Sequence, residues 1–284
     1  MPALIAFLQP YTFSPLTATV FALSLGLYLR GLVRARQRGL DTGILRPLGF
    51  LLGLGLCYLV LHTRFDYYAQ YMFFVHRAQH LVLHHLGPFL IALAAPWAIL
   101  GLGLPDRLRA GLAPLWHHRA VRAGYRFLQH PLIAPLLFVG LIFFWLTPSI
   151  HFDAMLSLTL YHVMNWSMLL DGLLFWWLML DPRDPARVGT LAFGRRIAIL
   201  VLIMFPQILL GAYIALANGE IYDVYAVCGR AWPIDPETDQ RLGGLITWIP
   251  AAMMSVMAVV LVLRLMYRHQ GATRSPDALP LTQE

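Results

Sequence analysis

QYMFFVHRAQHLVLHHLGPFLIALAAPWAILGLGL, residues 70–104, is the stretch whose reading decides how this chain folds. It holds a single charged side chain, Arg77, in an otherwise apolar run with four histidines. As one helix it would extend roughly 50 Å, well beyond the hydrocarbon core of a bilayer. Gly87-Pro88 and Pro96 are therefore expected to kink it. Counting back about 20 residues from Pro105 places the outer boundary near His84 and His85.

Met72, His76, His80 and His84 recur at steps of four, and each step advances only about 40° around a helix. They should form one nearly straight stripe, with His85 beside it as a possible substitute for one member. Imidazole and thioether groups on one face suit a soft or borderline metal ion or a haem iron. Histidines also hydrogen-bond between membrane helices, so the stripe alone leaves both readings open.

Working outward, the whole chain reads as an all-α polytopic membrane bundle. Apolar residues make up 59% of it, charged residues 12%, and mean hydropathy is +0.65. No ordinary soluble domain of this length has that balance. Spans are expected near residues 14–33, 47–63, 70–104, 132–147, 155–180, 197–217 and 243–266, giving seven transmembrane helices. Residues 1–268 would form one transmembrane domain, and 269–284 a short, polar, disordered cytoplasmic tail. The first arginine is Arg30, so the N-terminus lacks the basic region of a secretory signal, and the first helix is expected to remain as a span.

Every basic side chain is arginine, and the loops alternate in content. One set carries Arg30, Arg34, Arg36, Arg38 and Arg46, then Arg107, Arg109, Arg119, Arg122 and Arg126, then Arg183, Arg187, Arg195 and Arg196; Arg264, Arg268 and Arg274 close the chain. The other set has Arg64, Arg230 and Arg241 among seven carboxylates. By the positive-inside rule the N-terminus faces out and the C-terminus faces the cytoplasm. Topology then accounts for a pI near 9.7 without nucleic acid, and the inner arginines suit anionic membrane lipid.

In that orientation the metal-type side chains gather in the outer half. His62, Asp66, His151, Asp153, His162, Cys228 and the methionines Met253, Met254 and Met257 join the stripe there. Asp153 is placed to cap the next helix at Ala154, and His151 is a candidate accessory ligand. Arg77 is expected to snorkel outward or to pair with Asp66 or Asp153. Asp171 falls deeper and is expected to pair with another helix. His117, His118, His130 and His269 read as surface residues. Two cysteines, Cys57 and Cys228, are too few for a disulfide framework.

The chain resembles the CtaG family of caa3-type cytochrome c oxidase assembly factors. The resemblance runs through Phe74–Pro96, with His76-x3-His80; through Pro148–Trp177, with Asp153, His162 and Asp171-Gly172-Leu173-Leu174-Phe175-Trp176-Trp177; and through Asp239–Pro250. Two places depart from the family pattern. Trp145-Leu146-Thr147 stands where a Trp-His pair often precedes the proline, here Pro148. His162 is followed by Trp166 where a second histidine is often found, so His151 is a candidate to compensate.

The resemblance implies a role in maturing a haem-copper oxidase in the bacterial inner membrane by supplying or inserting copper. Its partners would be an oxidase subunit and a periplasmic copper chaperone. Cu(I) accepts histidine and methionine at low coordination number, which suits temporary holding. The candidate ligands are His76, His80, His84, Met72, His151 and His162. Two rival readings are a b-type haem carrier using His80 and His162, and a copper permease with the stripe at its mouth. No nucleophile–base set, phosphate loop or dinucleotide fingerprint is present, so no enzymatic activity is expected.

Overall fold

The computed structural model describes residues 7–183 and 190–273, and among them every regular element is a helix. In chain order these are α1 (Pro15–Gln37), α2 (Leu45–His62), α3 (Arg64–Tyr71), α4 (Phe73–Leu93), α5 (Trp97–Gly103), α6 (Asp106–His117) and α7 (Arg119–Leu128). They continue with α8 (Ile133–Leu146), α9 (Pro148–Leu156), α10 (Leu158–Leu180), α11 (Phe193–Leu216), α12 (Val224–Cys228) and α13 (Pro236–Thr273). α1, α2, α10, α11 and α13 are each long and apolar enough to cross a bilayer. The pairs α4–α5 and α7–α8 are bent by 76° and 68°, and counting each as one span gives seven. The apolar stretches of the sequence and these helices coincide one for one. The expected tail begins inside α13, which runs to Thr273; the rest of it lies outside the described residues.

Capping chemistry explains several boundaries. Ser14 accepts a hydrogen bond from Thr17 N at 3.3 Å, and Pro15 opens α1. Thr63 accepts from Phe65 N at 3.2 Å and separates α2 from α3. Asp153 does not cap α10. It lies within α9, and Ser157 accepts from Leu160 N at the start of α10 instead.

α4 is the central helix, packed against α2, α10 and α13. Met72 is extended at φ −142° and ψ 123°, so the helix starts one residue later and Met72 packs with Ala69 and Val75. It offers no side-chain cap. The cap comes from Asp239 on α13: its carboxylate accepts from Phe73 N at 3.1 Å and Phe74 N at 2.8 Å. A buried anion at a helix N-terminus satisfies orphan N–H groups and complements the helix dipole.

Gly87-Pro88 does not kink α4. The helix instead widens into a π segment over Leu81–Leu86 and tightens again at Gly87. Pro88 has no N–H to offer the carbonyl four residues back, that of His84. Trp176 of α10 supplies the missing donor, with its indole Nε1–H 3.1 Å from His84 O. Gly172, one helical turn before Trp176, makes this approach possible: a Cβ there would lie 2.5 Å from the same carbonyl oxygen.

The sharp bend comes later, where Ala95 takes φ 48° just before Pro96. A non-glycine residue in the left-handed region costs on the order of 1 kcal/mol, and here it ends α4 and redirects the chain into α5. α4 is therefore about 30 Å long, and it qualifies as a membrane span only together with α5. His76 and His80 lie in its first two turns, and His84 and His85 near its middle, about three turns from its start.

Candidate metal-binding site

The histidines of α4 do not form one stripe. A π turn spaces its bonds one residue wider than an α turn, so residues after Leu81 rotate relative to those before it. His76 and His80 stay on one face, with ring centroids 4.2 Å apart. His84 turns toward α8 and α10, stacking on Phe138 at 4.0 Å and bonding Asp171. His85 turns toward α11, where Gln207 Oε1 lies 3.0 Å from its Nε2.

His151 completes the group around His76. It is fully buried in α9, and its ring centroid lies 5.1 Å from that of His76. The Trp145 carbonyl, 3.0 Å from Nδ1, can only accept, so Nδ1 carries the proton and Nε2 is the lone-pair nitrogen. Tyr225 of α12 donates its hydroxyl to that Nε2 at 3.0 Å. Burial pushes the Tyr225 phenol well above its ordinary range and holds the His151 imidazole down to about 3, so the donor stays protonated and the acceptor neutral.

The tautomer of His80 follows by the same logic. Arg77 can only donate, and its Nη1 lies 3.3 Å from His80 Nδ1, which leaves the proton on Nε2 facing Asn165 Oδ1 at 3.0 Å. Arg77 does not snorkel and pairs with neither Asp66 nor Asp153. It is buried, with Nε donating to Thr247 Oγ1 at 2.9 Å. Asp66 is occupied by Gln70, Gln79 and Tyr161, at 2.9, 2.8 and 2.8 Å.

His76 differs from both neighbours. It is fully buried, and neither ring nitrogen makes a hydrogen bond of ordinary geometry; the Ala69 carbonyl approaches without completing one. A buried polar atom left unpaired costs on the order of 1–3 kcal/mol. A cation here would satisfy the one of these two ring nitrogens that carries the lone pair. As they stand, no three His, Cys, Asp or Glu side chains among the described residues are arranged to hold one ion. Two imidazoles suffice for two-coordinate Cu(I), but His80 can offer its Nδ1 lone pair only by releasing Arg77, and His151 its Nε2 only by releasing Tyr225.

A second, deeper pair shares this character. Asp171 Oδ2 lies 2.9 Å from His84 Nε2, and His84 Nδ1 is buried with no partner. A carboxylate that orients one imidazole nitrogen leaves the other free as a ligand.

The remaining candidates stand apart. His162 is exposed: Tyr161, Asn165 and Met168 occupy the inward face of α10, which turns His162 outward. His80 and His162 are thus not brought face to face as a haem pair. Cys57 is buried in α2, while Cys228 ends α12 and is partly exposed; both are free thiols. Met253 and Met257 are exposed, and Met254 packs in an apolar cluster with Phe138, Phe175 and Trp176. His117, His118 and His130 are exposed, and His269 is half-buried.

Several functional side chains escape a ligand-type search. Asp239, Gly243 and Thr247 recur every four residues on α13, and that spacing was their available signal. Asp239 caps α4, Gly243 leaves room for the Phe73 ring, and Thr247 holds Arg77. Arg230 bonds Asp239 at 3.2 Å and also pairs with Glu220, tying down the segment that leads to α12. Tyr222 fixes the same segment by donating to Leu146 O at 2.9 Å.

A family model for the cytochrome c oxidase caa3 assembly factors matches residues 26–269, and the chain belongs to that family. It is 29% identical over 287 residues to an uncharacterized protein of Mycobacterium leprae, covering 95% of this chain and 41% of that protein. Uncharacterized proteins of Mycobacterium bovis and Mycobacterium tuberculosis are 28% identical over 247 residues, covering 82% of this chain and 36% of each. The chain thus spans about two fifths of the length of the curated relatives it matches. No solved structure matches it.

Proposed function

We propose that this member of the caa3 assembly factor family holds Cu(I) as a transient cargo and passes it to a subunit of a haem-copper oxidase. Transfer takes place at the extracytoplasmic face of the bacterial inner membrane. His76 and His80 bind the ion once Arg77 lets go of His80 Nδ1, and His151 joins when Tyr225 lets go of its Nε2. The chain catalyses no reaction of its own; a periplasmic chaperone delivers the copper and the oxidase subunit removes it.

One observation carries this reading: neither nitrogen of the fully buried His76 ring makes a hydrogen bond of ordinary geometry, and the ring lies 4.2 Å by centroid from His80. Arg77 favours temporary holding. Its guanidinium contacts His80, and a fixed positive charge beside a bound cation weakens retention. Copper analysis of the purified full chain tests the proposal. About one equivalent of Cu(I) is expected in the native protein, and little in His76→Ala/His80→Ala. Equal copper in both would remove the site, and a stoichiometric Soret band would replace it with the haem reading.

A further inference from the structure

At the arginine-rich end of the bundle, α2, α4, α10 and α13 converge around a cavity of about 430 Å³. That volume lies within the usual range for small-molecule sites. Its wall is apolar toward the membrane interior, with Leu90, Leu93 and Leu261 on it, and three arginines line it: Arg46, Arg264 and Arg268. Among the described residues no acidic side chain lines it. Asp181, between two wall residues, is engaged instead by Arg183, whose Nε lies 2.9 Å from both of its carboxylate oxygens. None of the three arginines forms an ion pair or hydrogen bond among the described residues.

The start of α2 adds donors to the same place. Ile44 gives no side-chain cap and Pro47 has no N–H, so the first turn offers the N–H groups of Leu45 and Arg46. Helix N-termini of this kind bind phosphate oxygens. Three unpaired guanidinium groups above an apolar wall, at the end of membrane-spanning helices, match an amphiphile with an anionic head.

From this charge complementarity we infer that the cavity binds one anionic phospholipid, its phosphate held by Arg46, Arg264 and Arg268 and its upper acyl chain lying on Leu90, Leu93 and Leu261. A free phosphate would use the arginines and leave the apolar wall unfilled. The site is independent of the copper proposal, at the opposite end of α4 from His76.

Native mass spectrometry of the delipidated full chain tests it, with phosphatidylglycerol and phosphatidylcholine of identical acyl chains. The native chain is expected to retain one phosphatidylglycerol in preference to phosphatidylcholine. Arg46→Gln/Arg264→Gln/Arg268→Gln should weaken that retention on the order of 100-fold while copper content stays unchanged. Leu93→Trp, which fills the cavity with every arginine in place, should expel the lipid as well. That variant decides the matter should the triple variant fail to fold. Millimolar inorganic phosphate should leave the lipid bound. Equal retention of the two lipids by the native chain, undiminished binding in Leu93→Trp, or displacement by inorganic phosphate would overturn the site.

Discussion

Replacing Trp176 with Phe removes a single donor and keeps an aromatic ring in place. Pro88 occupies the position whose N–H would otherwise reach the His84 carbonyl in an α turn. Trp176 is fully buried, and its Nε1–H is 3.1 Å from that oxygen. Leaving a buried acceptor unpaired costs roughly 1–3 kcal/mol. Melting of the purified protein in detergent should fall by roughly 2–4 °C for each kcal/mol. Pro88→Ala restores the backbone N–H, and in that background Trp176→Phe should cost about 1 kcal/mol less than in the native chain. The double-mutant cycle separates the hydrogen bond from the loss of indole volume, which is the same in both backgrounds. Strictly additive losses would refute the view that Trp176 stands in for the proline's missing donor.

Asp239→Ala strips two N–H acceptors from the start of α4 and leaves Arg230 with Glu220 alone; melting should drop by an amount corresponding to roughly 3 kcal/mol, and Asp239→Asn should recover part of it. Gly172→Ala should force α10 away from the His84 carbonyl and cost about 1–3 kcal/mol in the same assay, because that oxygen is backbone and cannot yield as a side chain can. Tyr225→Phe frees His151 Nε2 from a hydrogen bond worth about 1 kcal/mol, so competition with a Cu(I) chelator should show roughly five-fold tighter binding.

The spans were legible because bilayer thickness acts on length and hydropathy, which a sequence displays directly. His76 and His80 were legible as a pair because four residues make nearly one α turn. The straight stripe was not, because it assumed an unbroken α helix from Met72 to His84. Met72 precedes the helix, and a π segment follows His80, just ahead of a carbonyl that Pro88 cannot serve. That consequence depends on a tryptophan arriving from another helix. Arg77 illustrates the same limit: outward snorkelling was the cheaper option from composition alone, but Thr247 and His80 converge on it from positions only the packed bundle brings together. His162 carried the right chemistry on the wrong face, and the inward placement of Tyr161 and Asn165 decided that.

X-ray absorption at the copper edge of the Cu(I)-loaded full chain reads the ligand set itself. Nitrogen-only coordination by two or three imidazoles is expected in the native protein, with that signal lost in His76→Ala/His80→Ala. Sulfur among the ligands, or an unchanged spectrum in the double variant, would place the ion elsewhere and contradict binding at His76 and His80.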